Sequence, residues 1–205
     1  MARNTDFRQS SNPFTMNRTP PLTLLLVTLV SAMTVVVVSF SVLSLGIAVV
    51  SCALGLVMLA IALADSRWFI VPDVLSLPAI PAGLLASGRL LDPSSIVLAS
   101  SHHVIGMIAG GFAFWLIRVA YARVRQQEGL GLGDVKLAAA AGAWVGWQEL
   151  ANVVLLASSL ALAAITLASL VRRRQVSSTD KLPFGCFLAP SIWLVWLLGV
   201  SRWMI

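Results

Sequence analysis

The chain has 205 residues, of which 59% are hydrophobic and only 11% charged, with a mean hydropathy of +0.92. Soluble domains average about 25% charged residues, so this composition excludes an ordinary soluble protein and indicates a membrane-embedded one. The net charge of +6 raises the question of nucleic acid, but the cations cluster in short loops without interleaved aromatics, which excludes nucleic-acid binding and favours contact with the lipid surface.

The apolar runs are continuous rather than alternating, which predicts helices and not a barrel. Residues 1–20 form a polar tail ending at the breaker Pro20-Pro21, and 21–205 form a single membrane-embedded domain. The first apolar run is too long for a signal peptide and reads as an uncleaved anchor. From Leu22 to Ala64 there are 43 residues without a charge, about twice the ~20 that span a bilayer. Two helices are expected there, 21–42 and 45–64, the second ending at Asp65. A third, 74–90, carries Pro78 and Pro81, which predict a bend. After the break at Leu91-Asp92-Pro93, a fourth runs over 96–120 with a small-residue face of Gly106, Gly110 and Gly111. A polar loop from Arg118 to Gly133 precedes a fifth helix, 134–148, and a sixth, 150–171. The cluster Arg172-Arg173-Arg174 opens a loop to Lys181, and the seventh helix covers 184–203. The expected fold is an all-α polytopic bundle of six core helices plus one extra N-terminal helix.

Threading seven helices with the N-terminus inside puts 12 of the 14 cations on the inner side, leaving Arg89 and Arg202 outside. The positive-inside rule supports this orientation. Trp144, Trp147 and Trp203 then fall near the outer interface and Trp68 near the inner one. Asp65 and Asp134, which played no part in that count, both arrive at the inner side. The fifth helix spans only about 22 Å of a roughly 30 Å core, which suits Asp134 in a wet notch.

Asp134 has an ordinary reading as a helix cap after a glycine loop, and Asp65 as an interfacial acid paired with Arg67 or a loop lysine. Yet carboxylates at membrane depth are costly and usually functional, and two on one face suggest acid–base hydrolysis. Like-charge repulsion splits the titration of such a pair, leaving one base and one acid. That titration belongs to the pair and not to either residue. Glycines beside Asp134 let a substrate backbone approach.

Other chemistries fit poorly. His102 and His103 are adjacent, about 100° apart on a helix, unlike the spacing of a metal face. They read as structural, on the outer side. Cys52 and Cys186 are too few for a zinc ribbon and read as small apolar side chains. No Gly-x-Ser-x-Gly or Walker run is present. No metal or cofactor is expected.

The run Gly131-Leu132-Gly133-Asp134-Val135-Lys136-Leu137, followed by Gly142-Ala143-Trp144-Val145-Gly146-Trp147, resembles the second active-site motif of type IV prepilin peptidases, intramembrane aspartic proteases of the GxGD kind. Asp65, followed seven residues later by Pro72-Asp73, resembles their first motif. Leu182-Pro183-Phe184-Gly185 resembles their C-terminal signature. The resemblance covers about 45–205. It implies removal of basic leaders from prepilins, pseudopilins or archaellin precursors, typically after Gly, at the cytoplasmic face of the inner (plasma) membrane. It makes Asp65 and Asp134 the catalytic pair, with Gly131 and Gly133 shaping the loop and Pro72, Asp73 and Lys136 as motif members. Prepilin substrate and membrane lipid are the implied partners, with pilus or secretion machinery contacted indirectly. Long bacterial members carry an insert with two Cys-x-x-Cys pairs associated with N-methylation. Here a few apolar residues join the first two helices, so the resemblance is to the short form and does not extend to methyltransferase activity. Two other readings remain open: a proton-coupled transporter with the acids as a relay, and a catalytically silent assembly factor.

Overall fold

The computed structural model describes residues 21–87, 96–126, 129–172 and 182–203. The polar tail, the Leu91-Asp92-Pro93 break, Arg89 and the loop carrying Arg173, Arg174 and Lys181 lie outside the described residues. Among those described there is no strand. Six helices are formed: α1 Pro21–Val42, α2 Leu45–Trp68, α3 Asp73–Ala86, α4 Ile96–Arg125, α5 Leu132–Arg172 and α6 Gly185–Trp203. Five of them are long and apolar enough to cross a membrane, whereas α3, at 14 residues, is shorter. The protein is an integral membrane helical bundle.

Three boundaries differ from expectation. The fifth and sixth helices are one element, α5, interrupted at Gly146. At φ 74° and ψ 175° this residue takes a conformation that side-chain-bearing residues avoid, so the break sits on the glycine itself. The second helix does not stop at Asp65 but runs on to Trp68. Its end is Phe69, in the left-handed region, whose amide donates to the Asp65 carbonyl at 2.9 Å. Pro72 then disfavours helical geometry at Val71 and keeps the connector extended. The fourth helix continues to Arg125 because no glycine or proline intervenes before Gly129.

The glycine face of α4 packs closely, as expected, and the helix it meets is α5. A Cβ on Gly106 would lie 2.6 Å from the carbonyl oxygen of Gly142, and one on Gly142 would collide with the Gly106 backbone. Gly110 faces the Ala138 carbonyl in the same way. Small residues thus let two backbones touch, which lipid-embedded helices need because tails offer no hydrophobic drive between them. The middle of the first leg of α5 is enclosed: Leu137, Ala140, Ala141 and Ala143 are fully buried.

Trp144 departs from the aromatic belt. It is buried, packs edge-on to Trp196 at 5.7 Å, and donates its indole N–H to the Ala79 carbonyl of α3 at 2.8 Å. The indole finds its acceptor inside the protein, so it has no need of the interface. Trp147 and Trp68 are exposed. A second polar link joins three helices in the apolar core. Ser39 of α1 and Ser51 of α2 share a 2.8 Å hydrogen bond, and Trp193 of α6 donates to the Ser51 hydroxyl at 3.1 Å.

Candidate active site

One end of the bundle collects the last turn of α2 and the first turns of α3, α5 and α6. Asp65 comes from α2. Its side chain is buried, only 5% exposed. Burial of a carboxylate demands hydrogen-bond partners, and the first turn of α6 supplies them. The Cys186 amide donates to Asp65 Oδ2 at 2.8 Å, with the Gly185 amide alongside. Gly185 has no room for a side chain: a Cβ there would stand 2.9 Å from Oδ2. The Leu182-Pro183-Phe184-Gly185 run therefore has a visible task, which is to bring bare backbone up to the carboxylate. The expected pairing of Asp65 with Arg67 is not formed. Arg67 lies over the Trp68 ring instead, 5.8 Å from its centroid.

Asp134 lies inside the first turn of α5, which begins at Leu132, rather than before it as a cap. A Cβ on Gly131 would sit 3.5 Å from Asp134 Oδ2, an ordinary contact. Asp65 and Asp134 arrive at this end of the bundle on either side of Val71. The two carboxylates that the sequence singled out are thus brought together from separate helices.

Between them sits Val71, which sequence reasoning passed over. It is buried. A Cβ on Gly133 would be 2.6 Å from the Val71 Cβ, and one on Gly185 would be 3.2 Å from its Cγ2. One valine thus fills the notch between the glycine beside each acid. No periodicity or charge marked it. Only its place next to Pro72 could have found it. Pro72 itself is the N-cap of α3, its carbonyl accepting the Leu75 and Ser76 amides at 3.1 and 3.0 Å.

Asp73 and Lys136 make an ion pair, Nζ to Oδ1 at 2.6 Å. It joins the first turn of α3 to the early part of α5. His102 and His103 are at the opposite end, near Gly146. Trp147 donates to His102 Nδ1 at 2.9 Å, and His103 Nδ1 lies 3.0 Å from the Ala143 carbonyl. Both serve the break in α5, not the carboxylates. Among the described residues, no three His, Cys, Asp or Glu side chains gather where a metal ion would be held.

The sequence model of the type IV leader peptidase family matches residues 52–167. The chain belongs to this family. The match takes in Asp65, Val71, Asp73, Asp134 and Lys136, while Gly185 and Cys186 lie beyond it. Leader peptidase family relatives agree. The chain is 39% identical over 135 residues to a prepilin leader peptidase/N-methyltransferase of Dickeya chrysanthemi, covering 66% of this chain and 45% of that protein. It is 38% identical over 149 residues to one of Aeromonas salmonicida, covering 72% and 49%. To one of Pseudomonas aeruginosa it is 34% identical over 142 residues, covering 69% and 47%. The chain therefore matches about half the length of these relatives. No solved structure matches it.

Proposed function

We propose that the protein is an intramembrane aspartic endopeptidase that removes the basic leader from prepilin-like or pseudopilin precursors. The observation that carries this reading is the meeting of Asp65 and Asp134, from α2 and α5, at one end of the bundle on either side of Val71. One carboxylate, ionised, takes a proton from a water as its oxygen attacks the scissile carbonyl carbon. The other, protonated, gives its proton to the carbonyl oxygen. Collapse of the tetrahedral species breaks the C–N bond, and the proton taken from water passes to the departing amine. No covalent enzyme intermediate is formed.

The excess of cations on the Asp65 and Asp134 side supports a cytoplasm-facing site in the inner membrane, where a basic leader would remain. Cleavage after Gly follows from the motif resemblance. The reading is confined to the peptidase activity in the names of the relatives.

The test is cleavage in detergent, with purified protein, a prepilin from the same genome, and Asp65→Asn and Asp134→Asn beside the wild type. Leader removal by the wild type, with both variants folded but inactive, is the expected result. Variants that cut as well as the wild type would sink the two-carboxylate mechanism. A wild type that leaves such prepilins intact would favour a carrier or assembly role.

A further inference from the structure

The connector between α2 and α3, residues 69–72, is pinned to both sides of the site, and Asp73 follows it at the start of α3. It begins where Phe69 bonds back to the Asp65 carbonyl. At Val71 it packs against the positions of Gly133 and Gly185. Asp73 closes the 2.6 Å ion pair with Lys136, two residues past Asp134. Each step along a helix turns about 100°, so the Lys136 side chain leaves α5 about 200° from that of Asp134. The ammonium is thus directed to α3 and away from the acid beside it in sequence.

Lys136 is the fifth residue of α5, just past its first turn. Asp73, in the first turn of α3, is on the favoured side of its own helix dipole and neutralises the lysine. The pair is part-exposed, 33% for Lys136 and 59% for Asp73. Exposed pairs contribute little to stability, so holding the fold together is a weak account of it. Holding an angle is a better one.

We propose that Lys136 and Asp73 are positioning residues that fix the first turn of α5 against the connector and so set the placement of Asp134 relative to Asp65. The proposal rests on the two-carboxylate reading above. Neither residue touches the reacting atoms.

The experiment is a double-mutant cycle of Asp73→Asn, Lys136→Met and the double variant, measured as kcat and KM on one prepilin, with Asp134→Asn as the inactive reference. A misplacement of about 1 Å can cost about 10²-fold in rate. Each single variant should therefore lose about ten- to a hundredfold in kcat, with KM within about twofold. The double variant should be no worse than the poorer single, because the pair is already broken. Losses that multiply, or that fall on KM, would overturn the proposal and give Lys136 a separate task such as substrate contact. If the wild type itself is inert, the catalytic reading fails, and a second measurement still decides the geometry. In a Cys52→Ser, Cys186→Ser background, Asp65→Cys and Asp134→Cys are bridged with thiol reagents of graded length. Adding Lys136→Met should shift bridging to longer reagents, and an unchanged span would refute the positioning role.

Discussion

The amide of Cys186 donates to the carboxylate of Asp65 across 121 residues of sequence, so the first turn of α6 holds the acid at the end of α2. The hydrogen bond exists because Gly185, just before it, leaves the backbone bare. A methyl group at 185 would stand 2.9 Å from Oδ2 and 3.1 Å from Cγ of Asp65. Gly185→Ala should displace the carboxylate and lower leader cleavage by about 10²-fold. Its elution on gel filtration in detergent should match the wild type. Full activity in this variant would mean that Asp65 tolerates displacement, and the amide clamp would then be incidental.

The crossing of α4 and α5 gives a matched pair of glycine tests. A Cβ at Gly142 meets the backbone of Gly106, which has no side chain to swing away. Gly142→Ala should destabilise by about 1–3 kcal/mol through overpacking. Gly199 of α6 has nothing within 4 Å of its would-be Cβ. Gly199→Ala should be neutral or stabilising by up to about 1 kcal/mol, the gain of alanine over glycine in a helix. Thermal unfolding in one detergent compares them. Equal melting temperatures for the two variants would mean that α4 and α5 do not touch as described.

Ser51 is the hub of the three-helix hydrogen-bond link. Its hydroxyl meets Ser39 and accepts the indole N–H of Trp193. Ser51→Ala leaves both partners buried without it, at a cost of about 1–3 kcal/mol. Ser39→Ala leaves the Trp193 bond in place and should cost less. Thermal unfolding with Trp fluorescence reads both. A larger loss from Ser39→Ala than from Ser51→Ala would reverse the assignment of the hub.

Much of this arrangement was legible in the sequence, for reasons of chemistry. The uncharged run from Leu22 to Ala64 has one solution in a bilayer, and the structure turns it at Leu43 and Ser44 between α1 and α2. Asp65 and Asp134 stood out because acids are scarce in such a chain, and the structure brings them together. The sequence pattern reads Asp65 as a helix terminator, because its hydrogen-bond donor is remote. A local pattern registers a charge after an apolar run and cannot see the amide of Cys186. Trp144 was placed in the belt because tryptophan favours interfaces. Its acceptor, the Ala79 carbonyl, is a main-chain atom that no residue type announces. Val71 and the Asp73–Lys136 pair are relations between segments, visible only once α3 and α5 are packed.

Helix α1 carries leucine and valine around most of its circumference, with Leu25, Val27, Leu29 and Val30 all facing outward. Hydrocarbon on one side and apolar protein on the other leave such a cylinder few features that fix its rotation about its axis. The packing of Val35 against Gly55 is one, and the link through Ser39 is another. The hydroxyl acts as an index mark: it matches one rotation of α1 to Ser51 and, through it, to α6, whose first turn holds Asp65.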